Sequence, residues 1–197
     1  MQPTILVRKL GRSDTSLLRD HLLRLDPPDR RLRFQGAVSD ARIEDYAAGI
    51  DWDEAVLLGA FVAGRLRGVA ELAIVRRGWP REAEAAFSIE SAFQNRGIGT
   101  ALLRRLMLIA RNRGIGRMHM ICLIENRRMQ RLARKCGCRL SFEADEVTAR
   151  VDPPLPSTAS LLLEAADDGL ALLQDLFATS ELATDELPGA ESAPQTA

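Results

Sequence analysis

Between residues 82 and 112 the chain passes from a two-residue alternation, through a loop with two glycines, into a helical repeat, and few folds accommodate that order. Ala85, Phe87 and Ile89 fall on one side of an extended segment, and Glu84, Ala86 and Ser88 on the other. Gln94-Asn95-Arg96-Gly97-Ile98-Gly99 follows. Residues 100–112 then put Leu102, Leu103, Leu106, Ile109 and Ala110 on an inward stripe and Arg104, Arg105 and Arg111 outside. Gly114 and Gly116 stop that helix, and residues 118–124 form a returning strand. A strand, a helix and a second strand in this order require a crossover connection.

The flanking segments predict the rest. Residues 4–9 read as a strand, and Ser13 or Asp14 caps a helix with stripe Leu17, Leu18, Leu22 and Leu25 that Pro27 and Pro28 end. A second helix starts at Ser39 or Asp40, carries Ile43, Tyr46 and Ala47, and closes at Gly49. Residues 55–62 and 66–75 are strands joined by the hairpin signal Ala63-Gly64-Arg65. Residues 126–135 form a helix with Met129, Leu132, Ala133 and Cys136 inward, and 140–151 a hairpin around Asp145. The order predicts an α/β domain with a mixed sheet over residues 1–152. Residues 153–179 then hold a proline-rich linker and an amphipathic helix with stripe Leu162, Ala166, Leu170, Leu173 and Phe177, which packs on the domain or on a partner. Residues 180–197 are small, polar and acidic, and are expected to be a disordered tail.

Composition narrows the function classes. No apolar run approaches the roughly 20 residues of a membrane span. The first ten residues lack the pattern of a secretory signal, so a cytoplasmic protein is expected. Cys122, Cys136 and Cys138 suit neither a disulfide framework nor a zinc knuckle, and no metal is expected. The formal net charge is zero but polarised: residues 94–139 hold eleven Arg and one Lys against Glu125, whereas 140–197 hold Arg150 against twelve acids. That is either a solvated basic surface followed by an acidic tail, or a field that attracts a polyanion. Nucleic acid is not the expected polyanion, because the basic helices lack interleaved aromatics and the acidic tail opposes them.

Gly97 and Gly99 let the backbone turn and approach a ligand closely, and the unpaired amides opening the next helix add the positive end of its dipole. Such a nest suits a pyrophosphate. The loop lacks the third glycine of a dinucleotide fingerprint and the Gly-Lys-Ser/Thr of a P-loop. Gln94, Gly97 and Gly99 do satisfy Gln/Arg-x-x-Gly-x-Gly/Ala, and over roughly residues 4–151 the chain resembles the GNAT superfamily of acyl-CoA-dependent N-acetyltransferases. The resemblance implies a mixed, mostly antiparallel sheet flanked by helices, with acetyl-CoA as co-substrate. By position it implies that the amides of Ile89 and Ser91 face the pantetheine arm, that Gln94, Asn95, Arg96, Gly97, Ile98, Gly99 and Thr100 wrap the pyrophosphate, and that Asn126 touches the cofactor. Arg31-Leu32-Arg33-Phe34, Ala83-Glu84-Ala85-Ala86-Phe87 and Asn126-Arg127-Arg128-Met129 look closest to the Pat-type protein lysine acetyltransferases.

The chemistry needs a base. A lysine-like amine is neutral only about once in 2,500 molecules at pH 7, and exposing its lone pair costs about 4.6 kcal/mol. Glu84 stands where Pat-type enzymes carry a catalytic glutamate, and the expected mechanism has it take the proton while an amide near Ile89 polarises the acetyl carbonyl. The tyrosine with which many members reprotonate the departing thiolate is replaced by Ala133, which leaves the general acid unassigned. That replacement also motivates an alternative, a non-catalytic, regulatory acyl-CoA-binding domain. Tyr46 is expected to be a packing residue with a wet hydroxyl, His119 a structural histidine, and Cys122 and Cys136 apolar fillers. Asp51, Trp52, Asp53 and Glu54 either greet a cationic acceptor or cap a loop. The acceptor is expected to be a protein lysine or a small amine, and the leucine-rich last helix makes a homodimer plausible.

Overall fold

The computed structural model describes residues 5–184, and side chains to residue 174. Strands β1 (Ile5–Leu10), β2 (Ala55–Val62), β3 (Arg65–Arg76), β4 (Glu82–Ile89), β5 (Arg117–Leu123), β6 (Arg139–Glu143) and β7 (Glu146–Val151) form one sheet in the order β1-β2-β3-β4-β5-β7-β6. Every pairing is antiparallel except β4 with β5. Helix α4 (Ile98–Asn112) connects those two parallel strands. Ala63 (φ 48°) and Gly64 (φ 71°) both turn left-handed at the β2–β3 hairpin, as a tight two-residue turn requires.

Two apolar layers hold the sheet. On one face Leu58, Ala60, Leu72, Ala83 and Ala85 meet the stripe Leu102, Leu103, Leu106 and Ile109 of α4, with α5 (Arg127–Lys135) beside it. On the other, Leu57, Phe61, Leu66 and Val69 meet Leu18 and Leu22 of α1 (Thr15–Leu23) and Ile43 and Ala47 of α3 (Asp40–Ala48). Directly paired residues share a face, so Leu57, Glu71 and Ala86 form one row across β2, β3 and β4 on the α1–α3 side.

One expectation is corrected. Pro27 and Pro28 do not end the first helix, which stops at Leu23; they open a further helix, α2 (Pro27–Phe34). Proline costs nothing in a first helical turn, whose N–H groups have no intrahelical acceptor, and Asp26 caps the turn by accepting from the Asp29 amide at 2.9 Å. The connection between β1 and β2 therefore holds three α-helices rather than two, and α2 is the one that reaches the site.

The last helix, α6 (Thr158–Thr184), lies against β1 and α4. The acidic tail expected at 180–197 falls, from residue 185 onward, outside the described residues, as does the side chain of Phe177. Among the described residues no helix is long and apolar enough to cross a membrane.

Candidate active site

The sheet splits beside β4. Strands β4 and β5 pair only through Glu82 with Arg117, Ala83 with Met118 and Glu84 with His119, after which β4 keeps β3 and β5 keeps β7. The Ile89 carbonyl accepts from Gln94 Nε2 at 2.8 Å, while Glu90 N donates to Arg67 O of β3 at 3.0 Å. Main-chain groups alternate sides along a strand, so Ala85, Phe87 and Ile89 direct theirs into the split. A cavity of about 420 Å³ opens from the split to the start of α4, with Phe87, Ile89, Gly97, Thr100 and Asn126 among its walls.

The loop entering α4 is built from left-handed residues. Asn95 (φ 59°) and Gly97 (φ 87°) reverse the chain twice within three residues. At Gly99, φ is ordinary but space is short: an added Cβ would lie 3.2 Å from Leu132 Cδ2 and 3.3 Å from Ile89 Cδ1. Helices α2, α3 and α5 are each capped by a side chain, from Asp26, Ser39 and Asn126. Helix α4 has no side-chain cap and no acid in its first turn. The amides of Ile98, Gly99 and Thr100 precede its first helical bond, from Ala101 N to Gly97 O, and stand unpaired beside the cavity. An anionic ligand would supply the negative charge that this end lacks.

Cations complete the wall. Arg128, Arg131 and Lys135 of α5 and Arg33 of α2 line the cavity. Asp29 of α2 accepts from Gln94 Nε2 at 2.6 Å and from Arg128, which also bonds the Gln94 carboxamide oxygen. Gln94 therefore ties the loop to β4, α2 and α5 at once. Asn126 spends its side-chain oxygen on the Met129 amide at 3.1 Å, so only its NH2 group remains for a ligand. Arg96 stacks on Phe93, 5.4 Å from the ring centre. Ser91 opens the short 3-10 turn between β4 and the loop. These features fit an extended anion with a diphosphate at the helix end and an amide-bearing arm along β4.

Three carboxylates lie on or beside β4, on the α1–α3 side of the sheet. Glu84 closes the paired part of β4 and β5, beside His119 on the same face, and has no hydrogen-bond or ion-pair partner among the described residues. Glu71 is engaged, accepting from Arg33 at 2.7 Å and from the Tyr46 hydroxyl. Burial pushes the Tyr46 hydroxyl far above its ordinary value, and Glu71 beside it adds to the rise while Arg33 opposes it. Tyr46 is thus a packing residue, as expected, but its hydroxyl is bonded rather than wet. Glu90 is also engaged, by Arg24 Nε at 2.9 Å, Arg67 Nη1 at 2.7 Å and His21 Nδ1 at 3.4 Å. Burial alone would raise the Glu90 carboxyl, but those donors outweigh it and hold it down to about 2. Burial lowers His21, although Glu90 beside it acts in the opposite direction; its Nδ1 lies 3.4 Å from Glu90 and its Nε2 2.9 Å from Ser88 Oγ.

The other singled-out residues fall away from the cavity. Asp53 pairs with Arg12, Glu54 with Arg77, Asp51 accepts from the Asp53 amide, and Trp52 packs on the second core, which is loop capping. Cys138 is buried, and burial with Cys136 beside it pushes its thiol up to about 11, far from a nucleophile. Ala133 is fully buried in the core.

Residues 21–138 match the model of the acetyltransferase (GNAT) family. The chain belongs to the GNAT family. It is thus an acyl-CoA-dependent acetyltransferase, and acetyl-CoA is the co-substrate whose diphosphate and pantetheine the uncapped helix and split strand suit. Acetyltransferase PA5475 of Pseudomonas aeruginosa is 29% identical over 142 residues, covering 70% of this chain and 74% of that protein. The crystal structure of the GNAT domain of S. lividans PAT superposes with a TM-score of 0.63 at 25% identity, over 74% of this chain and 89% of that one. Spermidine N-acetyltransferase from Vibrio cholerae, solved with CoA and spermine, shares the fold with a TM-score of 0.60 at 18% identity, over 76% of this chain and 95% of that one.

The GNAT resemblance pointed to Glu84, to the Gln94–Thr100 loop and to the stretch holding Arg33, but sequence reading missed that this stretch is helix α2, and missed Asp29, the His21–Glu90 cluster and the Glu71–Tyr46 pair. Only the Asp26 cap before Pro27 could have signalled α2.

Proposed function

We propose that this GNAT enzyme transfers the acetyl group of acetyl-CoA to a primary amine by direct attack, with Glu84 as general base. The carrying observation is the position of a free carboxylate at the closed end of the split, on the sheet face that α2 and α3 border. The amine nitrogen bonds to the thioester carbonyl carbon, Glu84 takes the ammonium proton directly or through one water, and the C–S bond breaks to release CoA thiolate. Water supplies the proton to the thiolate, since Ala133 offers none. The Ile89 and Ser91 amides serve the pantetheine arm, the loop Gln94–Thr100 with Asn126 serves the diphosphate, and Arg131 and Lys135 offer charge to the remaining phosphate.

The polarising amide can be narrowed from the neighbourhood of Ile89. Five steps of extended chain take Glu84 to Ile89, roughly 17 Å, whereas Phe87 is roughly 10 Å away and also aims its main chain into the split. We assign the carbonyl contact to Phe87.

Similarity to the PAT domain favours a protein lysine as acceptor over a small amine. Three free cysteines suit a reducing, cytoplasmic setting. The division into a catalytic unit at 1–152, a linker with its helix and a tail follows from the proline run. Incubating the enzyme with acetyl-CoA and a panel of lysine peptides and polyamines, while following free thiol, tests the reading. Acceptor-dependent thiol release supports it; cofactor binding without release from any amine would favour the regulatory alternative.

A further inference from the structure

Helix α6 is attached with its polarity inverted. Ser160, Glu164, Asp168 and Ala171 face the domain, and the contacts are charged: Lys9 Nζ meets Glu164 and Asp168 at 2.6 Å each, and Arg105 meets Asp168 at 2.6 Å. Asn112 adds bonds to the Ser160 carbonyl at 2.9 Å and to Glu164 at 2.8 Å. The apolar side points outward, with Leu162 66% and Leu173 53% exposed and Leu161, Leu163, Leu170 and Leu172 more than half exposed. At roughly 100° per residue, Leu162, Ala166, Gly169 and Leu173 run along the line opposite the docked side. Leu163 with Leu170 flanks that line on one side, and Leu161 with Leu172 on the other.

We propose that this face binds the same face of a second copy, with the two α6 helices antiparallel across a two-fold axis. The pattern is self-complementary, as an isologous contact requires. Centred between Asp167 and Asp168, the antiparallel arrangement sets Leu162 against the partner copy's equivalent of Leu173, and the small Ala166 against that of Gly169 where the backbones come closest. The flanks are offset from this register by two positions, about 3 Å, so Leu163 stands near rather than level with the counterpart of Leu170, and Leu161 likewise with that of Leu172. Six half-exposed leucines cover the outward half of the helix, more apolar surface than scattered surface leucines offer, and a stable interface needs roughly 800 Å² per partner. A lipid surface is the poorer occupant, because residues 158–184 contain five acids and no Lys or Arg. The contact leaves the chemistry free: α6 bonds α4 at Arg105 and Asn112, and Arg111 bonds Ser157 just before α6, whereas the cavity lies at the Gly99 end of α4.

The test is a charge exchange read by light scattering on the full chain. Wild type is expected at twice the 21.7 kDa of one chain at micromolar concentration. L162E and L173R are each expected at half that mass, with thiol release per chain unchanged, and L162E/L173R is expected to dimerise again, since every Glu then faces an Arg. A monomeric wild type, a dimer indifferent to L162E, or a double variant that stays monomeric overturns the proposal. So does a monomer that floats with phosphatidylcholine or phosphatidylserine vesicles. Unchanged circular dichroism in each variant separates loss of association from loss of fold.

Discussion

Glu84 and Glu90 sit six positions apart, one near the start of β4 and one just past its end, and the structure treats them oppositely. Glu90 is buried under Arg24, Arg67 and His21 and anchors β3, β4 and α1 to one another. Glu84 stands on the same sheet, half-buried, with no partner among the described residues. A carboxylate fully satisfied by three donors is a poor proton acceptor, because taking a proton would break those bonds. A carboxylate left free where β4 and β5 part is available for that task. Glu71, tied to Arg33 and Tyr46, belongs with Glu90, which leaves Glu84 as the open carboxylate beside the split.

The contrast breaks most visibly by exchanging the two effects. Glu84→Gln is expected to lower kcat by about 10² to 10⁴ with the melting temperature unmoved, measured by thiol release and thermal unfolding. Glu90→Ala is expected to do the reverse, removing about 3 kcal/mol of stability in urea titrations by stranding buried cations, while turnover per folded molecule persists. Acid sharpens the same point. Glu90 is held down to about 2, below its ordinary 4.5, so its contribution is present above pH 4.5 and lost as pH falls toward 2. His21 is also lowered, from 6.5, and its neutral form likewise favours the fold above that value and costs stability as pH falls below it. Wild type should therefore weaken from about pH 6.5 downward, and Glu90→Gln should lose the lower part of that dependence. The smallest effect belongs to the loop: Gly97→Ala strains a left-handed position by about 1 kcal/mol and should weaken acetyl-CoA binding roughly fivefold by calorimetry.

The same contrast explains what the sequence disclosed. The alternation of residues 82–89 and the glycines after it are local, and the nest they make uses main-chain amides, so their roles could be read from spacing and from the GNAT resemblance. The Glu90 and Glu71 clusters join residues 69 and 38 positions apart, and no pattern marks such pairs. Helix α2 was hidden because Pro27-Pro28 signals a stop as readily as a start. The leucines of α6 were legible as a stripe, but their direction was not, since Lys9, 155 residues from Glu164, decides which side docks.

The most direct test of Glu84 as the base is the pH dependence of kcat/KM for a lysine peptide, in wild type and Glu84→Gln. We expect the wild-type logarithm to climb with a slope of two in acid, from base and amine together, and then of one; the variant should climb with a slope of one throughout. Two-step profiles of the same shape in both enzymes would contradict the assignment.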